Sequence, residues 1–177
     1  KWSSYNLSNS KLNIYYSINK GISWEPIGID IKDIGSYPFA TPFIEDHSNE
    51  SLIKIENIND SLSILLEDYF TIIAPPIIQI TSPQSDDIFE IDTELNINWE
   101  SKNNTGKYVN IYYSLNNGLK WKKIESEVEN NGTYLWITPP LKRTIDKCII
   151  KIRDSFNAST KSIMDKPFTI KIPDPKI

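Results

Sequence analysis

One stretch of this chain is written twice. Leu12-Asn13-Ile14-Tyr15-Tyr16-Ser17-Ile18-Asn19-Lys20-Gly21-Ile22-Ser23-Trp24 returns as Val109-Asn110-Ile111-Tyr112-Tyr113-Ser114-Leu115-Asn116-Asn117-Gly118-Leu119-Lys120-Trp121, an offset of 97 with no gap. Trp2-Ser3-Ser4 and Trp99-Glu100-Ser101 precede the two copies at the same spacing. Further on, the offset joins Gly35 to Gly132, Tyr37 to Tyr134, Pro42 to Pro139 and Ile53-Lys54-Ile55 to Ile150-Lys151-Ile152. It slips by one where Phe70-Thr71-Ile72 meets Phe168-Thr169-Ile170. A repeat of this length is domain-sized, too long for a solenoid unit or a propeller blade. The 177 residues therefore read as two related modules.

Within each copy the apolar residues alternate. Val109, Ile111 and Tyr113 form one inward row, with Asn110 and Tyr112 outward; Leu12, Ile14 and Tyr16 repeat it against Asn13 and Tyr15. Leu95, Ile97 and Trp99 make a second row, and Cys148, Ile150 and Ile152 a third, with Lys151 and Arg153 facing out. A period of two is what a half-buried strand requires. Turn residues punctuate at short intervals: Asn116-Asn117-Gly118, Asn130-Asn131-Gly132, Thr138-Pro139-Pro140 and Asp154-Ser155-Phe156-Asn157. About seven short strands per copy at this spacing predict an antiparallel sandwich. Trp99, Trp121 and Trp136 (Phe39 in the first copy) are expected as core aromatics. The fold class is all-β: two tandem immunoglobulin-like (fibronectin III-like) β-sandwiches, the first lacking its N-terminal strand. The modules span 1–74 and 77–172, joined by a proline linker at 75–76, with 173–177 starting a further linker or module. Pro75-Pro76 fixes φ twice, so the joint is expected to be stiff and extended.

The second copy opens with Ile77-Ile78-Gln79-Ile80-Thr81-Ser82-Pro83 and continues through Leu95-Asn96-Ile97-Asn98-Trp99; the first starts at Lys1-Trp2. A sheet without its first strand leaves an open edge and an uncovered core. Two expectations follow. Either upstream residues supply the strand, with at least one more module on each side, or a neighbouring molecule donates it.

Charge and cysteine content narrow the partners. Residues 1–74 hold five lysines against ten acidic groups, and the remainder is close to neutral, for a net charge of −4. Neither half has the clustered basic face that nucleic acid or an anionic membrane needs. No run approaches the ~18 apolar residues of a membrane span, so membrane insertion is not expected. Cys148 is the single cysteine, matched by Ser51 in the first copy, so no intrachain disulfide is possible. It reads as an inert inward side chain.

Ile80-Thr81-Ser82-Pro83, Ile88-Phe89, Leu95-Asn96-Ile97-Asn98-Trp99-Glu100-Ser101, Val109-Asn110-Ile111, Ser114-x-Asn116-x-Gly118-x-x-Trp121, Gly132-x-Tyr134-x-Trp136-x-x-Pro139 and Pro167-Phe168-Thr169-Ile170 follow a recognisable order. The chain resembles the Ig-like repeat of bacterial cell-surface and secreted proteins, related to the Ser/Thr-rich, glycosylphosphatidylinositol-anchored yeast cell-wall family. The resemblance covers the second copy and the first from Trp2 onward. The family has glycines where Ser85, Asp86 and Asp92 stand, and a tryptophan at Phe89. The resemblance implies a non-catalytic extracellular module with no catalytic residues to carry over.

Several residues invite functional readings. Ser17-x-Asn19-x-Gly21-x-x-Trp24 and Ser114-x-Asn116-x-Gly118-x-x-Trp121 also look like the Asp-box of sialidases, with Asn for Asp. In that motif the short side chain caps its own turn, glycine takes φ > 0 and the aromatic tucks under the hairpin, all structural tasks. Outward Tyr15 and Tyr112 are candidate ligand-facing aromatics for sugar rings, against a simple cross-strand packing role. His47 beside Asp46 reads as an exposed loop residue. Asp86, Asp87, Glu90 and Asp92 read as an acidic solvated turn rather than a calcium loop. Lys120, Lys122 and Lys123 are expected to blunt an edge strand. Sequons at Asn6, Asn49, Asn59, Asn103, Asn131 and Asn157 suit an Asn- and Ser-rich composition.

The expectation is a chain that is not an enzyme and has no cofactor or metal. It would be a structural module of a large exported bacterial repeat protein: a surface stalk, adhesin segment or extracellular filament subunit. The alternative is a carbohydrate-binding or spacer module of a secreted hydrolase. Expected partners are neighbouring modules of the same chain, with self-assembly by strand donation and glycans as further candidates, at an extracellular or cell-surface location.

Overall fold

The computed structural model describes residues 1–4, 10–59, 62–66 and 68–173. The sequon at Asn6 and the further module read at Pro175-Lys176-Ile177 fall outside them. The chain divides into two compact units, Lys1–Pro75 and Pro76–Ile177, and every assigned element is a strand.

The first unit carries β1 (Lys11–Ser17), β2 (Glu25–Lys32), β3 (Ser48–Asn57), β4 (Ser63–Leu65) and β5 (Phe70–Ile72). They form one sheet in the order β2-β1-β3-β4, with β5 also paired to β3. Leu12 and Ile14 turn inward, 2% and 4% exposed.

The second unit carries β6 (Ile77–Ser82), β7 (Ile88–Glu90), β8 (Glu94–Lys102), β9 (Tyr108–Ser114), β10 (Lys122–Glu129), β11 (Thr133–Ile137), β12 (Ile145–Asp154), β13 (Lys161–Ile163) and β14 (Phe168–Lys171). One sheet runs β10-β9-β12-β14-β7, with β13 also on β12; the other runs β11-β8-β6. All pairs are antiparallel except β14 with β7. The two sheets share one core in which Leu95, Ile97, Trp99, Val109, Ile111, Tyr113, Cys148, Ile150 and Ile152 pack together. This is a β-sandwich with immunoglobulin-like strand order, and the three alternating rows read from the sequence are its inner face. Phe89 meets Phe168 edge-on at 5.9 Å across the parallel pair.

The repeat reproduces one sheet but not the other. β1, β2 and β3 match β9, β10 and β12, and β4 with β5 match β13 with β14. Among the described residues no strand forms at 36–40, although this segment matches β11. In the second unit β11 is held by pairing with β8; among the described residues of the first unit no strand pairs with 36–40, so its backbone groups find no ladder. Among the described residues, the sheet formed by β11, β8 and β6 has no counterpart in the first unit.

The tryptophans need one correction. Trp99 and Trp136 are core residues, 3% and 8% exposed, and Trp136 packs against Tyr113 with ring centroids 5.0 Å apart and the planes tilted by 43°. Trp121 is not. It is half-buried outside the core cluster, beneath Lys151, because it follows the hairpin just before β10, where the chain has not yet entered the inner layer. Trp24 is placed alike under Lys54.

The acidic turn takes the left-handed backbone at two positions. Asp86 and Asp92 adopt φ of +67° and +55°, the left-handed region where glycine is cheapest and Asp or Asn the next best choice. Asp87 closes the turn by accepting the Gln84 N–H at 2.8 Å. No group of three or more metal-ligating side chains gathers there or elsewhere among the described residues.

Candidate functional site

The repeated polar motif forms a cap on each β-hairpin, β1–β2 and β9–β10. Ser17 Oγ donates to Asn19 Oδ1 at 2.9 Å and accepts the backbone N–H groups of Asn19 at 3.2 Å and Gly21 at 2.9 Å. Asn19 Oδ1 also takes the Ser23 N–H at 2.9 Å. The second copy repeats this bond for bond. Ser114 Oγ donates to Asn116 Oδ1 at 2.9 Å and accepts Asn116 N–H at 3.3 Å and Gly118 N–H at 2.9 Å, and Asn116 takes Lys120 N–H at 2.8 Å. Both serines are buried, 2% and 1% exposed, and both hydroxyls are fully used.

The backbone follows from this cap. Lys20 and Gly21 have φ of +58° and +82°, Asn117 and Gly118 +53° and +86°. Two consecutive positive φ angles, closed by Ile22 N–H to Asn19 O at 3.1 Å and Leu119 N–H to Asn116 O at 3.3 Å, are the turn that suits a twisted hairpin. The tryptophan indole lies against the glycine. A Cβ on Gly21 would sit 3.0 Å from Trp24 Cζ2, and one on Gly118 3.4 Å from Trp121 Cζ2. The turn is tied back to the neighbouring strand by Lys20 N–H to Glu50 O and Asn117 N–H to Lys147 O, both 3.0 Å.

Beside each cap the sheet's outer face stacks a lysine on two rings. Lys54 Nζ lies 4.8 Å from the Tyr15 centroid and 4.9 Å from that of Trp24; Lys151 Nζ lies 4.6 Å from Tyr112 and 4.1 Å from Trp121. Tyr112 also accepts from Arg153 Nη2 at 3.1 Å. Both tyrosines are half-buried, each with a cation over its ring. The flanking charge differs between copies. Glu56 pairs with Lys54 at 2.8 Å, whereas Arg153 occupies that place in the second copy. Burial, then Arg153 and Lys161, hold the Lys151 ammonium below its ordinary value.

Three sets of residues act without having been signalled. Asn13 and Asn110, read only as outward, each accept a bulge N–H: Asp30 at 3.0 Å and Glu127 at 3.1 Å, residues with φ of +56° and +55°. Asp33 and Asn130 each accept an indole N–H at 2.7 Å, from Trp2 and Trp99. Asp154, 3% exposed, accepts the N–H groups of Gly106 at 2.5 Å, Phe156 at 2.8 Å and Asn157 at 2.9 Å. A Cβ on Gly106 would stand 2.8 Å from both carboxylate oxygens, so this close approach demands glycine. The shared offset marks the first two sets; the turn at Asp154-Ser155-Phe156-Asn157 marks the local half of the third, and only the bond to Gly106 has no sequence signal.

The remaining candidates stay apart. His47 is exposed, and its Nδ1 accepts the Ala74 N–H at 2.9 Å. Cys148 is 1% exposed, and burial above all pushes its thiol up to about 11, which keeps it protonated and unreactive near neutral pH. Lys122 and Lys123 lie on β10, an edge strand, while Lys120 precedes it.

No family model matches the chain, and no curated protein matches it. Among solved structures, the fibronectin(III)-like modules of CbhA from Clostridium thermocellum share 18% identity over 96% of this chain and 81% of theirs, at a TM-score of 0.37. A chimeric titin Z1Z2-Z1Z2 tandem shares 10% over 96% and 87%, at 0.34. The N-terminal four Ig domains of Dscam1 isoform 1.9 share 12% over 93% and 38%, at 0.32. These likenesses are distant and carry nothing about function; the fold stands on the strand order above.

Proposed function

We propose that this chain is a non-catalytic structural segment of a large exported bacterial repeat protein, a stalk, adhesin segment or filament subunit outside the cell. One observation carries the reading. The polar residues that recur at the fixed offset are spent on architecture in both copies: Ser17 and Ser114, Asn19 and Asn116, Gly21 and Gly118 close hairpins, with their hydrogen bonds directed inward. A module repeated for its chemistry would repeat a set of reactive groups; this one repeats turns, bulge caps and indole anchors.

The mechanism is mechanical. Load passes between modules, and each sandwich resists it by the hydrogen bonds and core contacts of its own sheets. Pulling the full chain by its ends in a force spectrometer tests this. The second unit is expected to open as one cooperative event, lengthening by roughly 3.3–3.6 Å per residue released, and to refold over repeated cycles. Gradual yielding without a discrete event overturns the reading. So does specific retention on a glycan array that Tyr112→Ala abolishes, which would instead make this a carbohydrate-binding module of a secreted hydrolase.

A further inference from the structure

Among the described residues, the first unit's sheet leaves one face open. A cleft of about 740 Å³ lies over β1 and β3, lined by Trp2, Ile14, Phe39, Ile53, Ile55 and Leu65 among others. Five of these residues have counterparts at the repeat offset: Trp99, Ile111, Trp136, Ile150 and Ile152. All five sit in the second unit's core, packed with Ile78 of β6 and Leu95 and Ile97 of β8. The second unit thus shows what covers this surface.

The first unit has already begun the same cover. Trp2 donates its backbone N–H to Gly35 O at 3.0 Å, as Trp99 in β8 donates to Gly132 O at 3.0 Å. Its indole reaches Asp33 at 2.7 Å, as that of Trp99 reaches Asn130. Trp2 therefore holds the register and polarity of Trp99 in β8. In the second unit β8 pairs with β11 from Asn98↔Thr133 to Glu94↔Ile137. A strand running into Lys1 in that register lies along 36–40 and drops alternate side chains into the cleft. There the Leu95 position would face Phe39, just as Leu95 pairs with Trp136.

We propose that this cleft is a strand-acceptor site. Its occupant is an extended two-strand segment with apolar residues in alternation, of the kind β6 and β8 form, entering along the lane that Trp2 opens. On binding, it pairs 36–40 into a strand and completes the second sheet.

The test is a graft. Residues 76–97 of this chain, placed directly ahead of Lys1 in the full chain, deliver the segment in the required register. The expected result is slowed hydrogen exchange at Tyr37 and Phe39, loss of binding of an apolar dye, and a rise of at least about 5 °C in the first unit's unfolding midpoint, with the second unit's unchanged. The same graft carrying Leu95→Asp and Ile97→Asp within the inserted copy is expected to give none of these. Equal gains from both grafts, or no gain from either, overturn the proposal. Sedimentation of the ungrafted chain completes the test: monomers are expected, and a dimer that protects the Tyr37 and Phe39 amides would overturn it by making a second copy the occupant.

Discussion

Ile150 and Ile152 are sealed from solvent in the second unit, while Ile53 and Ile55, the same residues in the same strand position, stay half-buried in the first. Phe39 is 36% exposed where its counterpart Trp136 is 8% exposed. The hairpin caps of the two units nevertheless agree within 0.1 Å in each serine and asparagine side-chain bond they share. The two kinds of feature depend on different things. A cap made by a serine and an asparagine two to four residues from the groups they bind needs only its own loop and the adjoining strand. Burial of a sheet face needs a second sheet, and among the described residues only the second unit shows one.

The comparison is sharpened most by cutting the matched isoleucines. Ile150→Ala empties a packed site and is expected to cost the second unit about 3–4 kcal/mol, whereas Ile53→Ala removes a side chain that already meets the open cleft and costs about 1 kcal/mol. Urea unfolding followed by NMR signals assigned to each unit measures both. Equal losses would mean that the first unit's face is covered in solution.

Asp154 comes next. Burial alone would raise its carboxyl, but the backbone N–H groups of Asn157, Gly106 and Phe156 outweigh burial and hold it below the ordinary Asp value. The folded state therefore favours the ionised form more than the unfolded chain does. That contribution is complete above the ordinary value of 3.8 and is lost as pH falls through the lowered folded value. Asp154→Ala is expected to cost about 2–3 kcal/mol at neutral pH, and Asp154→Asn to flatten the acid limb of the second unit's stability curve. The first unit has Asn57 in this place; its own lowered carboxyl is Asp33, held down by hydrogen bonds from Ser4 and Trp2, so Asp154→Asn should leave the first unit's acid limb unchanged. Midpoints of denaturation measured between pH 7 and pH 3 decide it; an unchanged acid limb in Asp154→Asn would break the assignment.

The inward rows of β8, β9 and β12 were legible in the sequence because each strand has one wet and one dry face, and a period of two records that directly. The hairpin cap was legible too, since its partners lie within seven residues. Trp121 was misplaced because its neighbour Lys151 is brought beside it by the pairing of β12 with β9, which no local pattern encodes. Asn13 and Asn110 looked merely outward for a similar reason: their task depends on a bulge in the facing strand. Tyr37 and Phe39 alternate as Tyr134 and Trp136 do, yet only the second pair lies in a strand. There propensity yields to the presence or absence of a partner strand.

The caps offer a smaller but cleaner test. Ser17→Ala and Ser114→Ala each leave two part-buried backbone N–H groups short of an acceptor, and each is expected to cost its own unit about 1–2 kcal/mol. Equality is the point. If Ser114→Ala proves far more costly than Ser17→Ala, the cap draws on the sandwich behind it and is not self-contained.

The smallest effect separates the two caps themselves. Both turns place a non-glycine residue ahead of the glycine at positive φ, Lys20 at +58° and Asn117 at +53°. A lysine there sets its Cβ against the following carbonyl, while asparagine tolerates the left-handed region through its short polar side chain. Against this strain, Lys20 gains an ion pair with Glu50 at 2.7 Å, which solvent at this exposed site screens. The backbone preference outweighs that pair. Lys20→Asn, which copies the second unit's solution into the first, is expected to raise the first unit's unfolding midpoint by about 2–4 °C, and Asn117→Lys to lower the second unit's by a similar amount. Calorimetry in low and in high salt separates the two contributions: the backbone gain persists as salt rises, and a gain that appears only in high salt would show the ion pair to be the stronger of the two.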